Sequence, residues 1–394
     1  MVTAFVEHPD GRVLLLRRRD DASTYAGRWS AVSGYLEDDD PLAQAIREVE
    51  EETGLGREDV EPAAAGRQVV ARDEEGSWLV HPFLLRCRAP ERISLNEENA
   101  AAEWTDPGAL RELPTVPALE EAYAHVKLAE RVAQIADDRT HGASWLAAQA
   151  LNALTEAVEL GEDPLEAARE LARARPAIGA ITGALARVLG AARTPEQVAE
   201  EAQALLASRA RAPRAIAVLL ASDVEGKVVM THSASATVRE ALVHTPPARV
   251  VCTASEPIGE GRPFAEALRR EGLTGDLVAD EDATHAVTTV DLVLVGADTV
   301  FRDGALANKT GTRDLAKAAK EAGVPVVVAA ELIKLAPVEA RTPDEELFDL
   351  TPPDSTDRFV TEEGVYSPAD VASLVDRTPF LRDGYALLRG DGVD

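Results

Sequence analysis

Residues 34–55 read GYLEDDDPLAQAIREVEEETGL and place Arg47, Glu48, Glu51 and Glu52 on one expected helix that stops at Gly54. Positions three and four apart share a helix face, so the three glutamates point the same way. Carboxylates held that close repel one another, and the arrangement is costly unless a cation neutralises it. Oxygen ligands of this kind suit Mg2+ (or Mn2+), hard cations that also hold substrate phosphates. Glu37, just before the helix, is a further candidate ligand. The opposite face carries Leu42, Ala45, Ile46 and Val49, an apolar stripe able to pack on a sheet.

A second group of reactive side chains lies in the C-terminal half, where apolar runs end. Thr231-His232-Ser233, Ser255-Glu256, Glu260-Gly261-Arg262, Gly296-Ala297-Asp298 and Lys334 each follow such a run, and Asn308-Lys309-Thr310-Gly311-Thr312 opens a helix. A helix N-terminus beside a lysine and hydroxyls is a natural phosphate site. Asp298 at a strand tip suits acid/base work or the binding of a hydroxyl. His232 is expected to hydrogen-bond its local loop, and Asp280, Glu281 and Asp282 to form a solvated run. Cys87 and Cys252 lie too far apart for a metal motif and are expected to be reduced and buried.

These side chains need scaffolds, and the pattern of the chain supplies three. Residues 1–115 alternate short strands (2–5, 13–16, 68–71 and 78–86) with the acidic helix, turning at 9–11 and 74–76. Residues 118–210 are rich in Ala and Leu at helical spacing and read as a bundle. Residues 214–394 alternate apolar runs (215–220, 249–253, 276–279, 292–295 and 324–329) with crossover helices (234–242, 263–271 and 313–322). That alternation predicts a doubly wound parallel sheet, whose ligands sit beyond the carboxyl ends of the strands. The fold class is therefore multi-domain α/β.

The acidic stretch resembles the Nudix box. Arg47, Glu48, Val49, Glu51, Glu52, Gly54 and Leu55 fill its second half, Gly34 opens it, and Gly27-Arg28-Trp29 is similar to its lead-in. The span from Gly34 to Arg47 is one residue shorter than the pattern, so Asp39 or Asp40 replaces the first box glutamate. The resemblance implies an α/β/α sandwich and a hydrolase of diphosphate-linked nucleotides. In it Glu48, Glu51 and Glu52 ligate Mg2+ and Arg47 orients them through salt bridges; no residue is identified as the general base.

The rest resembles the regulatory alpha, beta and delta subunits of initiation factor 2B, a superfamily that includes ribose-1,5-bisphosphate and methylthioribose-1-phosphate isomerases. VVMTHSAS, SEPIGEGR, VDLVLVGADTVFRDGALANKTGT, VVVAAELIKL and FDLTPP carry the likeness, with His141-Gly142 and Arg175-Pro176 similar to its N-terminal phosphate-contacting segments. The resemblance implies a helical bundle followed by a Rossmann-like domain. It gives Arg175, Ser233, Glu260, Arg262, Asn308, Lys309, Lys334, His141 and Gly142 to ligand binding, and Asp298 to catalysis. The isomerases carry a cysteine where Ser233 stands. A serine hydroxyl is a far weaker acid than a thiol of pKa about 8.5, so binding of a sugar phosphate or nucleotide without isomerisation is expected. The alternatives are a non-enzymatic translation regulator in contact with initiation factors and a ribose-1,5-bisphosphate-type isomerase. The resemblance also implies a homodimer through the C-terminal domain.

Composition narrows the partners. Asp and Glu number 69 against 41 Lys and Arg, a formal charge of −28, and the only lysines are Lys127, Lys227, Lys309, Lys317, Lys320 and Lys334. Such a surface suits molar salt, which screens carboxylate repulsion to a few Å, and points to a salt-loving organism, which the family resemblance implies to be an archaeon; high genomic GC content would also replace Lys by Arg. It argues against nonspecific nucleic-acid or membrane binding, which need basic surfaces. The first residues lack the apolar run of a secretory signal, and a cytoplasmic location is expected.

Overall fold

A computed structural model describes residues 1–390 other than Ser23, Asp38 and Glu75. The expected turn at 74–76 includes Glu75 and so lies partly outside the described residues. Contacts divide the chain into two compact units, Met1–Ala136 with Glu156–Ala167, and Asp137–Thr155 with Ala168–Asp394. No helix among the described residues is long and apolar enough to cross a membrane.

The first unit is built on a mixed sheet of β1 (Val2–Glu7), β2 (Val13–Arg18), β3 (Trp29–Ser30), β4 (Val32–Gly34), β5 (Val60–Ala65), β6 (Val69–Asp73), β7 (Gly76–Cys87) and β8 (Asn99–Thr105). β1 runs parallel to β7 and antiparallel to β2 and β4. Successive side chains of a strand point to opposite faces, and β1 divides accordingly. Val2, Ala4 and Val6 pack with Ala45, Ile46 and Val49 of α1 (Pro41–Thr53), while Phe5 packs with Tyr123 and Val126 of α2 (Leu119–Asp137). The result is the expected α/β/α sandwich, with Trp29 and Trp104 packed against its two cores. The box helix starts at Asp40, whose carboxylate accepts from the N–H of Leu42 and Ala43 at 3.1 Å, and ends at Gly54 in the left-handed region, φ 68°.

Helices α3 (Ala143–Glu159) and α4 (Pro164–Ala174) contribute to both units; α5 (Gly179–Ala191), α6 (Pro195–Ser208) and α7 (Arg211–Val224) belong to the second. Residues 215–220, expected as a strand, lie inside α7. Ile216, Ala217, Leu220 and Val224 are buried while Val218 is 60% and Leu219 39% exposed, a one-sided helical pattern that the apolar run disguised.

The second unit then alternates β9 (Val228–Thr231), α8 (Ala236–His244), β10 (Arg249–Thr253), α9 (Gly261–Arg270), β11 (Gly275–Val278), the short α10 (Ala283–Ala286) and β12 (Leu292–Val295). After the small strands β13 (Thr299–Phe301) and β14 (Leu306–Lys309) come α11 (Thr312–Ala322), β15 (Val326–Ala329), β16 (Leu335–Ala336), β17 (Phe348–Thr351), β18 (Arg358–Thr361), β19 (Gly364–Tyr366), α12 (Val371–Arg377) and α13 (Pro379–Arg389). The main sheet has the order β11-β10-β9-β12-β15-β18-β19, parallel except at β19. Strands 16, 13, 14 and 17 form a smaller sheet in that order. The main order reverses between β9 and β12, and such a switch point opens a crevice at the strands' carboxyl ends.

Candidate functional site

In the first unit, Gly34 packs against the Glu48 carboxylate of α1. A Cβ on Gly34 would stand 1.8 Å from a carboxylate oxygen of Glu48, so only glycine leaves room for that carboxylate. Arg47 donates to Gln44 at 2.6 Å, and Gln44 donates to Glu48 at 2.7 Å; the arginine reaches that glutamate through an amide rather than by the direct salt bridge expected. Glu52 is buried and accepts from the Ser33 N–H at 3.0 Å and the Asn99 amide at 2.7 Å. Burial pushes its carboxyl up to about 7 against those hydrogen bonds, with Glu48 and Glu98 adding to the rise. Burial also raises Glu48, and the charges of Glu51, Glu37 and Glu98 raise it further against the hydrogen bond from Gln44.

Among the described residues, no three His, Cys, Asp or Glu side chains stand close enough together to hold one metal ion, so the expected set Glu37, Glu48, Glu51 and Glu52 is not assembled as a shell. Its donor chemistry nonetheless fits a hard divalent cation, which would relieve the repulsion that raises Glu48. Asp40, one of the two substitutes for the missing box glutamate, is used as the helix cap. Glu98 was missed because nothing in its sequence neighbourhood marks it.

In the second unit, the switch point collects most of the sequence-predicted residues. Two adjoining cavities of about 90 and 140 Å3 share Gly142, Ala143, Ser233, Ala234 and Asp298. His141, Arg175, Glu260 and Lys309 complete one, and Asn308 and Lys334 the other. Arg262 lies outside both, exposed and paired with Glu256 at 3.0 Å.

Each side chain is held by its element. Ser233 follows β9 with φ 67°, a left-handed conformation rare for a non-glycine residue, and its hydroxyl donates to Glu260 at 2.9 Å. Ser255, at φ 62°, accepts from the Ser233 N–H at 2.8 Å. The other Glu260 oxygen stands 3.3 Å from the Lys309 ammonium, yet neither atom makes a hydrogen bond among the described residues. Lys309 is only 4% exposed. Lys334 pairs with Glu331 at 3.1 Å, both buried, and Thr237 donates to Glu331 at 2.6 Å. Burial works to raise the Glu331 carboxyl, but the Lys334 charge and these hydrogen bonds hold it below the usual range. The protein around Asp298 strips it of water and pushes its carboxyl up to about 6, against the charges of Lys334, Arg175 and Lys309 and with that of Glu260.

Arg175 is gripped by Glu345 through two bonds of 2.9 and 2.7 Å, and also donates to the Asp138 carbonyl. Asp138 accepts from the N–H of Thr140 and His141 and pairs with the His141 ring at 2.7 Å. The His141 ring stacks on Trp145, centroids 3.7 Å apart. His232 bonds the Thr310 carbonyl at 2.9 Å, which requires N–H at Nε2 and leaves Nδ1 to accept from Thr253 at 2.6 Å. Burial lowers its pKa, so it is a neutral, satisfied structural residue. Cys252 sits in the core below, its thiol pushed up to about 12 by burial.

Two sequence readings change. The α11 N-terminus is already capped: Asp349 accepts from the N–H of Gly311 at 2.7 Å and of Arg313 at 3.2 Å. The helix end that lines the cavities is that of α3, at Gly142, Ala143 and Ser144. Asp280 is more than a solvated residue, since it accepts from the N–H of Ser255 and Glu256 at 2.8 and 2.7 Å. Asp138, Glu331, Glu345 and Asp349 carried no signal, because acids are common throughout this chain.

Comparison with known proteins gives these two units families. The NUDIX domain family matches residues 1–126, and the Initiation factor 2 subunit family matches residues 139–347. A ribose 1,5-bisphosphate isomerase of Archaeoglobus fulgidus is 36% identical over 36% of this chain and 55% of its own length. That of Haloferax volcanii is 33% identical over 38% of this chain and 56% of its own. The chain thus spans about half the length of these isomerases. An eIF-2B subunit 2-like protein of Pyrococcus horikoshii is 31% identical over 61% of this chain and 98% of its own length. The crystal structure of a Pyrococcus horikoshii translation initiation factor eIF-2B superposes with TM-score 0.55 at 26% identity, covering 61% of this chain and 97% of that one. The chain therefore belongs to the Initiation factor 2 subunit family and carries a Nudix domain at its N-terminal end.

Proposed function

We propose that the second unit is a receptor for a phosphorylated sugar or nucleotide that it binds without isomerising. The observation that carries this reading is Lys309, a buried ammonium with no hydrogen bond among the described residues, lining a cavity with Arg175 and Asp298. A buried ammonium that stands 3.3 Å from the Glu260 carboxylate but makes no hydrogen bond is unusual in a folded protein, and a phosphate oxygen would satisfy it. Lys334, Asn308 and the α3 N-terminus supply further donors, while Asp298 and Glu260 suit the hydroxyls of a sugar. Ribose 1,5-bisphosphate, named for two of the relatives, is the first ligand to try.

Isomerisation needs a proton moved at neutral pH. Ser233 offers a hydroxyl already donated to Glu260, and Cys252 is locked in the core with a thiol too basic to help. Titration calorimetry with ribose 1,5-bisphosphate, read beside a coupled assay for ribulose 1,5-bisphosphate, tests the reading: binding without turnover supports it, and robust turnover rejects it.

For the first unit the proposal is a metal-dependent hydrolase of a diphosphate-linked nucleotide. Glu48 and Glu51 would hold Mg2+ or Mn2+, with Glu37 and Glu98 nearby, and Glu52 would fix the helix to the sheet through Ser33 and Asn99. The bound ion would neutralise the diphosphate and activate water. Gln44 and Arg47 orient Glu48. A Mg2+-supplemented screen of nucleoside diphosphate derivatives checks this; activity that persists in Glu48→Gln and Glu51→Gln would reject it. The proposal also takes the protein to be a cytoplasmic homodimer. A non-enzymatic regulator contacting translation initiation factors is a second reading, favoured by the match along 98% of the subunit 2-like relative, and pull-down with those factors tests it.

A further inference from the structure

A third cavity, of about 340 Å3, lies in the second unit and shares Ser144 with the Lys334 pocket. Its size falls within the range of small-molecule sites. Ala148 and Leu151 of α3 and Leu206 of α6 give it an apolar floor. Arg187, Arg209 and Arg211 stand along its wall, all exposed. None of the three forms an ion pair among the described residues; Arg187 stacks over Phe380, 5.7 Å from its centroid. In a chain with 69 acidic residues, three arginines around one cavity with no carboxylate at ion-pair distance are the unexpected state, although the Arg187 charge acts on Glu362.

Other features point the same way. Helix α7 begins at this wall with no side-chain cap and no acid in its first turn. Three carboxylates also line the cavity: Glu331 is engaged with Lys334 and Thr237, Glu362 accepts from the Leu332 N–H at 2.9 Å, and Glu363 is exposed. With Glu331 neutralised by Lys334, the three arginines outnumber the two remaining carboxylates, next to apolar surface.

We infer that this cavity is a second ligand site, which takes a phosphate ester with an apolar body: the phosphate on Arg209, Arg211 and Arg187, the body on Ala148, Leu151 and Leu206. The inference does not depend on the sugar-phosphate reading, because it uses none of Lys309, Arg175 or Asn308.

Titration calorimetry with phenyl phosphate on the full chain tests it. Wild type should bind phenyl phosphate saturably and at least roughly tenfold more tightly than inorganic phosphate, since the apolar body adds burial. The exposed double variant Arg209→Glu/Arg211→Glu, with helix content checked by circular dichroism, should lose at least roughly tenfold in affinity, as expected for charged hydrogen bonds. Ala212→Phe, which fills the cavity from its partly exposed side, should block binding with the arginines intact. Lys309→Ala should change affinity by less than twofold. The inference is overturned if inorganic phosphate binds as tightly, if the arginine variant binds normally, or if Lys309→Ala is the variant that loses phenyl phosphate. The last result would put the ligand in the first site. Failure of ribose 1,5-bisphosphate to bind would count against the first site only.

Discussion

At the residue scale, Ser233 and Asp298 set what the C-terminal site can do. Ser233 occupies a strained, left-handed position with its hydroxyl committed to Glu260. If the missing thiol is what prevents isomerisation, Ser233→Cys should give measurable ribulose 1,5-bisphosphate where wild type gives none; a variant as inert as wild type would place the block elsewhere. Asp298 ties the site to stability. Its carboxyl titrates near 6 in the folded protein against 3.8 ordinarily, so the folded state prefers it protonated. Stability from this group is fully present below 3.8, falls as pH rises through 6, and is flat above. Asp298→Asn should therefore stabilise the protein at pH 8 by up to about 3 kcal/mol, with no gain near pH 3.5, as urea denaturation would show. Ser233, Asp298, Lys309 and Lys334 were legible because polar residues at strand ends stand out against apolar runs, whereas Arg175 follows a helix and was read only from the family resemblance. Their supporting acids were not: Glu345 reaches Arg175, and Asp349 reaches Gly311, across more than thirty residues of sequence. Arg262 misled because a basic residue beside the site looks the same in sequence whether it turns inward or pairs with Glu256 on the surface.

At the element scale, the apolar pattern identified β10, β11, β12 and β15 of the main sheet, passed over β18, and failed at residues 215–220, where an Ala- and Leu-rich run fits a buried strand as readily as a helix. The acidic helix was the easiest element to read, since Asp40 and Gly54 mark both ends. What the pattern could not show is how closely elements approach. At Gly183, α5 comes so near the segment carrying Lys334 that a Cβ would lie 1.9 Å from the Ile333 carbonyl oxygen. That neighbour is backbone and cannot swing aside, so Gly183→Ala must push α5 and the Lys334 segment apart. The expected cost is about 2 kcal/mol or more, with weaker binding of the sugar phosphate in the same variant. Unchanged stability and binding would mean the two segments pack more loosely than the structure shows.

At the scale of the whole molecule, two families share one chain whose net charge is −28. Self-repulsion of that size weakens a folded state in dilute buffer and is screened within about 3 Å in 1 M salt. The melting temperature should therefore rise between 0.1 and about 2 M KCl, and scanning calorimetry would show it; a fall would argue against adaptation to salt. Both families were legible, because each depends on several residues at fixed spacing. The third cavity was not, because Arg187, Arg209 and Arg211 gather only when α5, α6 and α7 pack.

The central claim is that the second unit binds a phosphorylated sugar through Lys309 and leaves it unchanged. Phosphorus NMR of ribose 1,5-bisphosphate, recorded with wild type and with Lys309→Ala, tests both halves in one sample series. The ligand signals should broaden with wild type, stay sharp with the variant, and give no ribulose 1,5-bisphosphate in either. Conversion by the wild-type protein, or equal broadening by the variant, would contradict the claim.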